Sequence, residues 1–184
     1  LAAVSIFNSA AGTVDMELSN TSFGYTIKGD DATKTADEDN LLKGSDKADI
    51  LQGYAGEDTL TGNGGSDIFD LSDTNDGLAG TGQIFGEANK MEATDTIVVA
   101  GGPDQISDWT DGEDTIDTGS TNNISYLGVG ADLTAIVSGN NYAVRGSLTD
   151  ANTFTMAADG AGALLFKASG AGNVLADASS EKFF

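Results

Sequence analysis

Between positions 42 and 78 apolar residues recur at a fixed step of nine: Leu42, Leu51, Leu60, Phe69 and Leu78. Two residues before each stands an amide or an acid, namely Asn40, Asp49, Asp58, Asp67 and Asp76. Neither the 3.6-residue period of a helix nor the alternation of a long strand gives this spacing, whereas a turn followed by a short strand does. The frames read TADEDNLLK, GSDKADILQ, GYAGEDTLT, GNGGSDIFD and, more loosely, LSDTNDGLA. Glycine opens three of them at Gly44, Gly53 and Gly62, and recurs in the fourth place at Gly56 and Gly65. It permits the positive backbone angles and close carbonyl approach of a tight turn. Each repeat therefore predicts half a coil with its apolar side chain pointing inward. Two repeats close one coil, so Asn40, Asp58 and Asp76 are expected to stack on one side and Asp49 and Asp67 on the other. The outer frames, poor in glycine, read as cap turns.

The flanks carry other patterns. The opening LAAVSIFNSAAG reads as a strand. TVDMELSN alternates Val14, Met16 and Leu18 with polar neighbours, and SFGYTIKG places Phe23, Tyr25 and Ile27 on one face. With a turn at Ser19 to Ser22 these two runs predict a hairpin that covers the open edge of the first coil. From Ile124 onward, ISYLGVG, LTAIVSGNNYAVRG and NTFTMAADGAGALLFKAS are short β-rich runs separated by turn residues. They predict an antiparallel β-sandwich-like cap without a long helix. The expected fold class is all-β: a parallel β-roll (β-helix) flanked by an N-terminal hairpin and that cap. The expected division is 1–34 N-terminal strands, 35–79 roll, 80–120 roll-closing segment and 121–184 C-terminal cap.

Charge narrows the chemistry. Eight Lys and Arg stand against 29 Asp and Glu, a formal net charge of −21, which repels nucleic-acid phosphates and anionic lipid headgroups and attracts cations. Cysteine and histidine are absent, so the usual zinc and copper ligands are missing and a metal must be held by oxygen. The same absences remove Ser-His-Asp and Cys-His catalysis, and an independent enzyme is not expected. No apolar run approaches the roughly 20 residues of a membrane-spanning helix. With Leu1 in place of an initiating Met, the sequence reads as a fragment or a processed product.

The repeat resembles the RTX nonapeptide G-G-x-G-x-D-x-U-x, a calcium-binding parallel β-helix repeat. Elementary physics agrees. Stacked strands lie about 4.8 Å apart, so an ion midway between equivalent turns reaches both at about 2.4 Å, the calcium–oxygen distance. Magnesium prefers about 2.1 Å and keeps its waters. Two unscreened carboxylates at that strand spacing repel by roughly 1 kcal/mol even in water, so metal binding and folding are expected to be one event. The candidate ligand positions are Asn40, Gly44, Asp46, Asp49, Gly53, Ala55, Gly56, Asp58, Gly62, Gly64, Gly65, Asp67 and Asp76, with several Ca2+ ions as the cofactor.

Further on, DTIVVAGGPDQISDWTDGEDTIDTGS resembles the segment that follows the roll in serralysin-type proteases and other type I secreted proteins, through Asp104, Ile106, Asp108, Trp109, Gly112, Asp114, Ile116 and Asp117. In that family the segment closes the apolar end of the roll and carries more calcium ligands, which implicates Asp108, Asp114 and Asp117. The tail ADASSEKFF is similar to the uncleaved C-terminal export signal of the same class.

The resemblance implies an extracellular calcium-binding module that folds after type I secretion and serves as the C-terminal folding, export and structural region of a larger surface-layer, adhesin or matrix protein. Its partners would be calcium, the type I secretion machinery and either other copies of itself or cell-surface polysaccharide, with no nucleic acid and no membrane span. The alternative is the C-terminal calcium domain of a secreted serralysin-like protease or lipase, although neither H-E-x-x-H nor G-x-S-x-G occurs here. A carbohydrate-binding reading rests on Trp109 and nearby acids, and a lone tryptophan is more often a core residue.

Overall fold

Leu42, Leu51, Leu60 and Phe69 are all wholly buried, each on its own short strand. A computed structural model of the chain describes residues 5–7, 12–15, 22–29, 39–54, 56–72, 80–85, 96–98, 104–110, 112–119, 121, 124–137, 139–150, 153–160, 162–167, 174–178 and 181–183. The chain divides into two units, one made of Leu1–Gly77 with Asp104–Ser120 and the other of Leu78–Pro103 with Thr121–Phe184. The first holds β1 (Ser5–Phe7), β2 (Gly12–Asp15), β3 (Thr26–Lys28), β4 (Asn40–Lys43), β5 (Ile50–Gln52), β6 (Thr59–Thr61) and β7 (Ile68–Asp70). The chain then gives β8 (Gly80–Phe85) and β9 (Thr96–Val98) to the second unit and returns to the first for β10 (Asp104–Ile106) and β11 (Thr115–Asp117).

Within the first unit, successive strands from β2 to β7 alternate between two parallel sheets. One runs β1-β3-β5-β7-β11 and the other β2-β4-β6-β10. Leu42 faces Leu60 and Leu51 faces Phe69 in register, so a full coil is two repeats and the fold is the expected parallel β-roll. The inner columns continue to both sides, through Val14 and Ile106 in one sheet and through Ile27 and Ile116 in the other.

The N-terminal hairpin is not formed. β2 pairs in parallel with β4, and β3 in parallel with β5, so the upstream strands are earlier coils of the roll. Parallel stacking puts Ile27 directly onto Leu51, fully buried, and satisfies the backbone edges of β4 and β5, which a hairpin would only have covered. Met16, Leu18 and most of the expected turn lie outside the described residues. The single face predicted for Phe23, Tyr25 and Ile27 is also divided: Tyr25 and Ile27 are buried while Phe23 is 36% exposed, its ring 6.2 Å from that of Tyr25.

The second unit adds β12 (Ser125–Leu127), β13 (Asn141–Asp150), β14 (Thr153–Met156), β15 (Gly162–Lys167), β16 (Val174–Ala178) and β17 (Glu181–Phe183) to β8 and β9. Its hydrogen-bonded path is β16-β8-β9-β14-β13-β15-β17, antiparallel throughout, with β12 parallel to β13. Leu127, Ile136, Tyr142, Val144, Phe154, Met156 and Leu164 form its core. Gly146 pairs with both Met156 and Gly162, and a Cβ there would lie 2.7 Å from the Phe154 ring. The one described helical element is a 3-10 turn at Leu133–Ala135, and no helix among the described residues is long and apolar enough to cross a membrane.

Candidate metal centre

Two ladders of carboxylates climb the roll. On one side the Asn40 backbone N–H donates to Asp58 Oδ1 at 2.8 Å, and the Asp58 N–H to Asp104 Oδ1 at 3.0 Å. On the other, the Tyr25 N–H donates to Asp49 Oδ1, the Asp49 N–H to Asp67 Oδ1 at 2.8 Å and the Asp67 N–H to Asp114 Oδ1 at 3.0 Å. Each acid thus braces the backbone of the preceding coil. Asp49, Asp58, Asp67 and Asp104 are only 1, 1, 2 and 1% exposed, so four carboxylates are held out of water where ionisation is costly unless a cation or strong donors compensate.

The distance along the chain from first to sixth position has a steric cause. A Cβ on Gly53 would lie 2.1 Å from Asp58 Oδ2, one on Gly62 2.2 Å from Asp67 Oδ2, and one on Gly44 2.6 Å from Asp49 Oδ2. The carboxylate occupies the space that a side chain on its own turn would fill. Backbone carbonyls approach the same hollows: the Gly62 oxygen lies 2.5 Å from the Cβ position of Gly44, and the Gly53 oxygen 2.3 Å from that of Gly29. Fourth-place Gly56 and Gly65 have φ of 123° and 118°, and second-place Tyr54 and Asn63 also turn left-handed at 72° and 67°. Asn63 Nδ2 donates to the Gly44 carbonyl at 2.8 Å. The Tyr54 hydroxyl accepts from Lys28 Nζ at 2.9 Å.

Burial pushes the Asp67 carboxyl up to about 7, helped by the charges of Asp114, Asp49 and Asp108 and opposed by the hydrogen bond from the Asp49 backbone. Glu57 is also raised, first by burial and then by the charges of Asp39 and Asp104. Asp58 Oδ2 is buried and takes no hydrogen bond. Among the described residues no three acids converge on one point. A cation here would therefore draw on single carboxylates of adjacent rungs together with the carbonyls of the glycine turns. An all-oxygen donor set carrying excess negative charge is suited to a hard cation such as calcium.

Of the predicted positions, Asn40, Asp49, Asp58, Asp67 and Asp114 join the ladders, and Gly44, Gly53, Gly56, Gly62 and Gly65 form the turns beside them. Asp108 accepts from the Gly62 and Asn63 N–H groups at 2.9 and 2.6 Å and so braces one of those turns. Asp46 stands apart: it is exposed and lies 3.7 Å from Lys47 Nζ. Gly64 lies beside Asp46. Asp117 is likewise exposed and accepts from the Gly119 N–H in a local turn. Ala55 and Asp76 lie outside the described residues.

Asp76 was expected to stack on Asp58, but the strand beside β6 is β10, so Asp104 supplies that rung. The signal for it was present, since Asp104-x-Ile106 and Asp114-x-Ile116 repeat the acid-x-apolar unit of Asp58-x-Leu60 out of step with the nine-residue period. Trp109, half-buried, places its ring 6.3 Å from that of Phe69, an inner-column residue.

The family model of the RTX calcium-binding nonapeptide repeat matches in four copies over residues 36–81 and 110–133. No curated protein and no solved structure matches the chain. The matched segments include Asp49, Asp58, Asp67 and Asp114, while Asp104 lies between them.

Proposed function

Because this chain carries RTX calcium-binding nonapeptide repeats, a structural module that binds several calcium ions, we propose that it is a calcium-triggered folding region of a larger protein exported by type I secretion. It works outside the cell as part of a surface layer, adhesin or matrix. The observation that carries this reading is the pair of ladders: acids on successive coils, each accepting a backbone N–H of the coil before, with Asp49, Asp58 and Asp67 buried over Gly44, Gly53 and Gly62 of their own turns.

The carboxylates of Asp49, Asp58, Asp67, Asp104 and Asp114, with carbonyls of the Gly44, Gly53 and Gly62 turns, would hold the ions. Bound calcium supplies positive charge between rungs that otherwise repel. The chain's own groups do the rest. Each Asp fixes the N–H of the coil before it, the glycines leave room for the carboxylate, and Leu42, Leu51, Leu60 and Phe69 fill the space between the sheets. Asn40 stands at the sixth place of the first frame as a neutral amide, so it adds no charge to its column. In a cytosol poor in calcium the acidic chain would stay open and threadable, and millimolar calcium outside would close it. The absence of cysteine and the charge of −21 agree with that route.

Far-UV circular dichroism tests the reading. The chain should gain the roll's share of its β signal on addition of calcium and lose that share in EGTA. A β signal unchanged by EGTA after verified metal removal overturns coupled folding.

A further inference from the structure

The sequence contains one Asn-Gly pair, Asn63-Gly64, and it lies in the turn that Asp108 braces. We propose that this pair is a self-modification site: in the open chain the Gly64 backbone nitrogen displaces ammonia from the Asn63 carboxamide, and closure of the roll silences the reaction.

The chemistry needs no cofactor. The Gly64 nitrogen gives up its proton to base and bonds to Asn63 Cγ. The Cγ–Nδ2 bond breaks, and Nδ2 leaves as ammonia, taking up a proton, to give a cyclic imide. Water then opens the imide at either carbonyl, restoring the Gly64 N–H and leaving aspartate or isoaspartate. Glycine after Asn favours the attack because no Cβ shields its nitrogen.

In the folded roll every group that must move is tied down. The Gly64 N–H donates to the Ser45 carbonyl at 3.2 Å. The leaving amide, Asn63 Nδ2, donates to the Gly44 carbonyl at 2.8 Å. The Asn63 N–H donates to Asp108 Oδ2 at 2.6 Å, which holds the residue at φ 67°. Asn63 is exposed, so exclusion of water is not the protection; the fixed conformation is. Reaction must then await local opening, and its rate scales with the open fraction. The product also damages the turn. A carboxylate cannot donate to the Gly44 carbonyl, and isoaspartate adds a methylene to the backbone at a left-handed position. Chains that wait too long before meeting calcium would lose the ability to close.

The calcium dependence of this clock rests on the proposed coupled folding, while its conformational control does not, and the test separates the two. The full chain is incubated in mildly alkaline buffer with calcium, with EGTA, and with calcium plus guanidinium chloride. Isoaspartate at position 63 is followed by peptide mapping, and β content by circular dichroism. Modification should be at least about tenfold faster in guanidinium than in calcium alone. Equal rates in those two arms overturn the proposal. Fast modification of an open chain in EGTA supports it, and slow modification of an open chain in EGTA overturns it. If the chain stays folded in EGTA, coupled folding fails and the guanidinium arm still decides.

Gly64→Ala is the control, since the added Cβ would come no closer than 3.5 Å to Asp46 Cα. It should suppress modification in guanidinium, where folding and calcium binding play no part; undiminished ammonia loss at Asn63 in this variant rejects the attack. After ageing in EGTA, the parent chain should recover its β signal on calcium only in the unmodified fraction, and Gly64→Ala should recover whatever signal it reached before ageing. Full recovery of modified parent chains would reject the damage.

Discussion

In the roll, β4, β5, β6 and β7 each contribute one wholly buried apolar side chain, Leu42, Leu51, Leu60 and Phe69; in the second unit β13 alone supplies Tyr142 and Val144 to a core that also holds Phe154, Met156 and Leu164. Burying one Leu is worth about 1.5–3 kcal/mol, no more than the backbone entropy of ordering a few residues at about 1–2 kcal/mol each. A glycine-rich coil that buries one such side chain per half turn is therefore poorly supported by its core. The second unit packs antiparallel strands around aromatic side chains, and among the described residues its core cluster holds no acid. On the proposed reading, the contrast makes the roll the part that needs an ion and the antiparallel sheet the part whose core can stand without one.

Removing calcium should break this comparison most visibly. By hydrogen exchange with mass spectrometry in EGTA, the N–H groups of Asn40, Asp49, Asp58 and Asp67 should lose their protection while β13 and β15 keep theirs. Simultaneous loss in both units would show that the second also depends on the metal.

Core truncations come next. Phe154→Ala should cost about 3–5 kcal/mol, and Leu60→Ala about 2–5 kcal/mol. The first should lower the thermal midpoint of the second unit without moving the calcium titration of the roll, and the second should raise the calcium midpoint. If Phe154→Ala shifts the calcium midpoint as much as Leu60→Ala, the units are not energetically separate.

A smaller effect tests the hollow beside each turn. Gly62→Ala places a Cβ 2.2 Å from Asp67 Oδ2 and should cost about 1–3 kcal/mol of overpacking, read as weaker calcium binding by calorimetry. Asp159→Ala, an exposed acid of the second unit, should leave the titration unchanged; an equal loss would mean that general acidity governs binding.

The smallest expected effect is a pH slope. The Asp67 carboxyl is raised in the fold from 3.8 to about 7, so between those values the folded state binds more protons than the open chain. Its contribution to metal-free stability is present below about 4 and is lost as pH rises through about 7, whereas calcium, which displaces that proton, should bind more tightly over the same rise. Titrating metal-free β content from pH 4 to 8 should show the decline, and Asp67→Asn should flatten it.

The nine-residue period made the roll and its inward Leu column legible, because each repeat is one physical unit with one buried side chain. The upstream coils were not legible as coils. Ile27 and Leu51 pair 24 positions apart, which is no multiple of the nine-residue period, and the alternation around Ile27 looks the same in a hairpin as in a roll. The Asp104 rung was hidden for a related reason: its partner Asp58 lies 46 positions earlier, beyond a segment that joins the other unit. Spacing reads neighbours in a regular coil and falls silent once the chain leaves and returns. It also could not show that each carboxylate holds a backbone N–H, since that depends on which way the acid faces once the coils are stacked.

The braces have a polarity. In each rung the acceptor belongs to the later segment and the donor to the earlier one: Asp58 serves Asn40, Asp67 serves Asp49, Asp104 serves Asp58 and Asp114 serves Asp67. A chain emerging from its N-terminal end shows its donors first, and each finished half-coil waits for the next to arrive. A chain emerging from its C-terminal end shows Asp114 and Asp104 first, acceptors already in place, and every later half-coil has something to lock onto. No half-coil is braced until the acid that serves it, later in the sequence, has been placed.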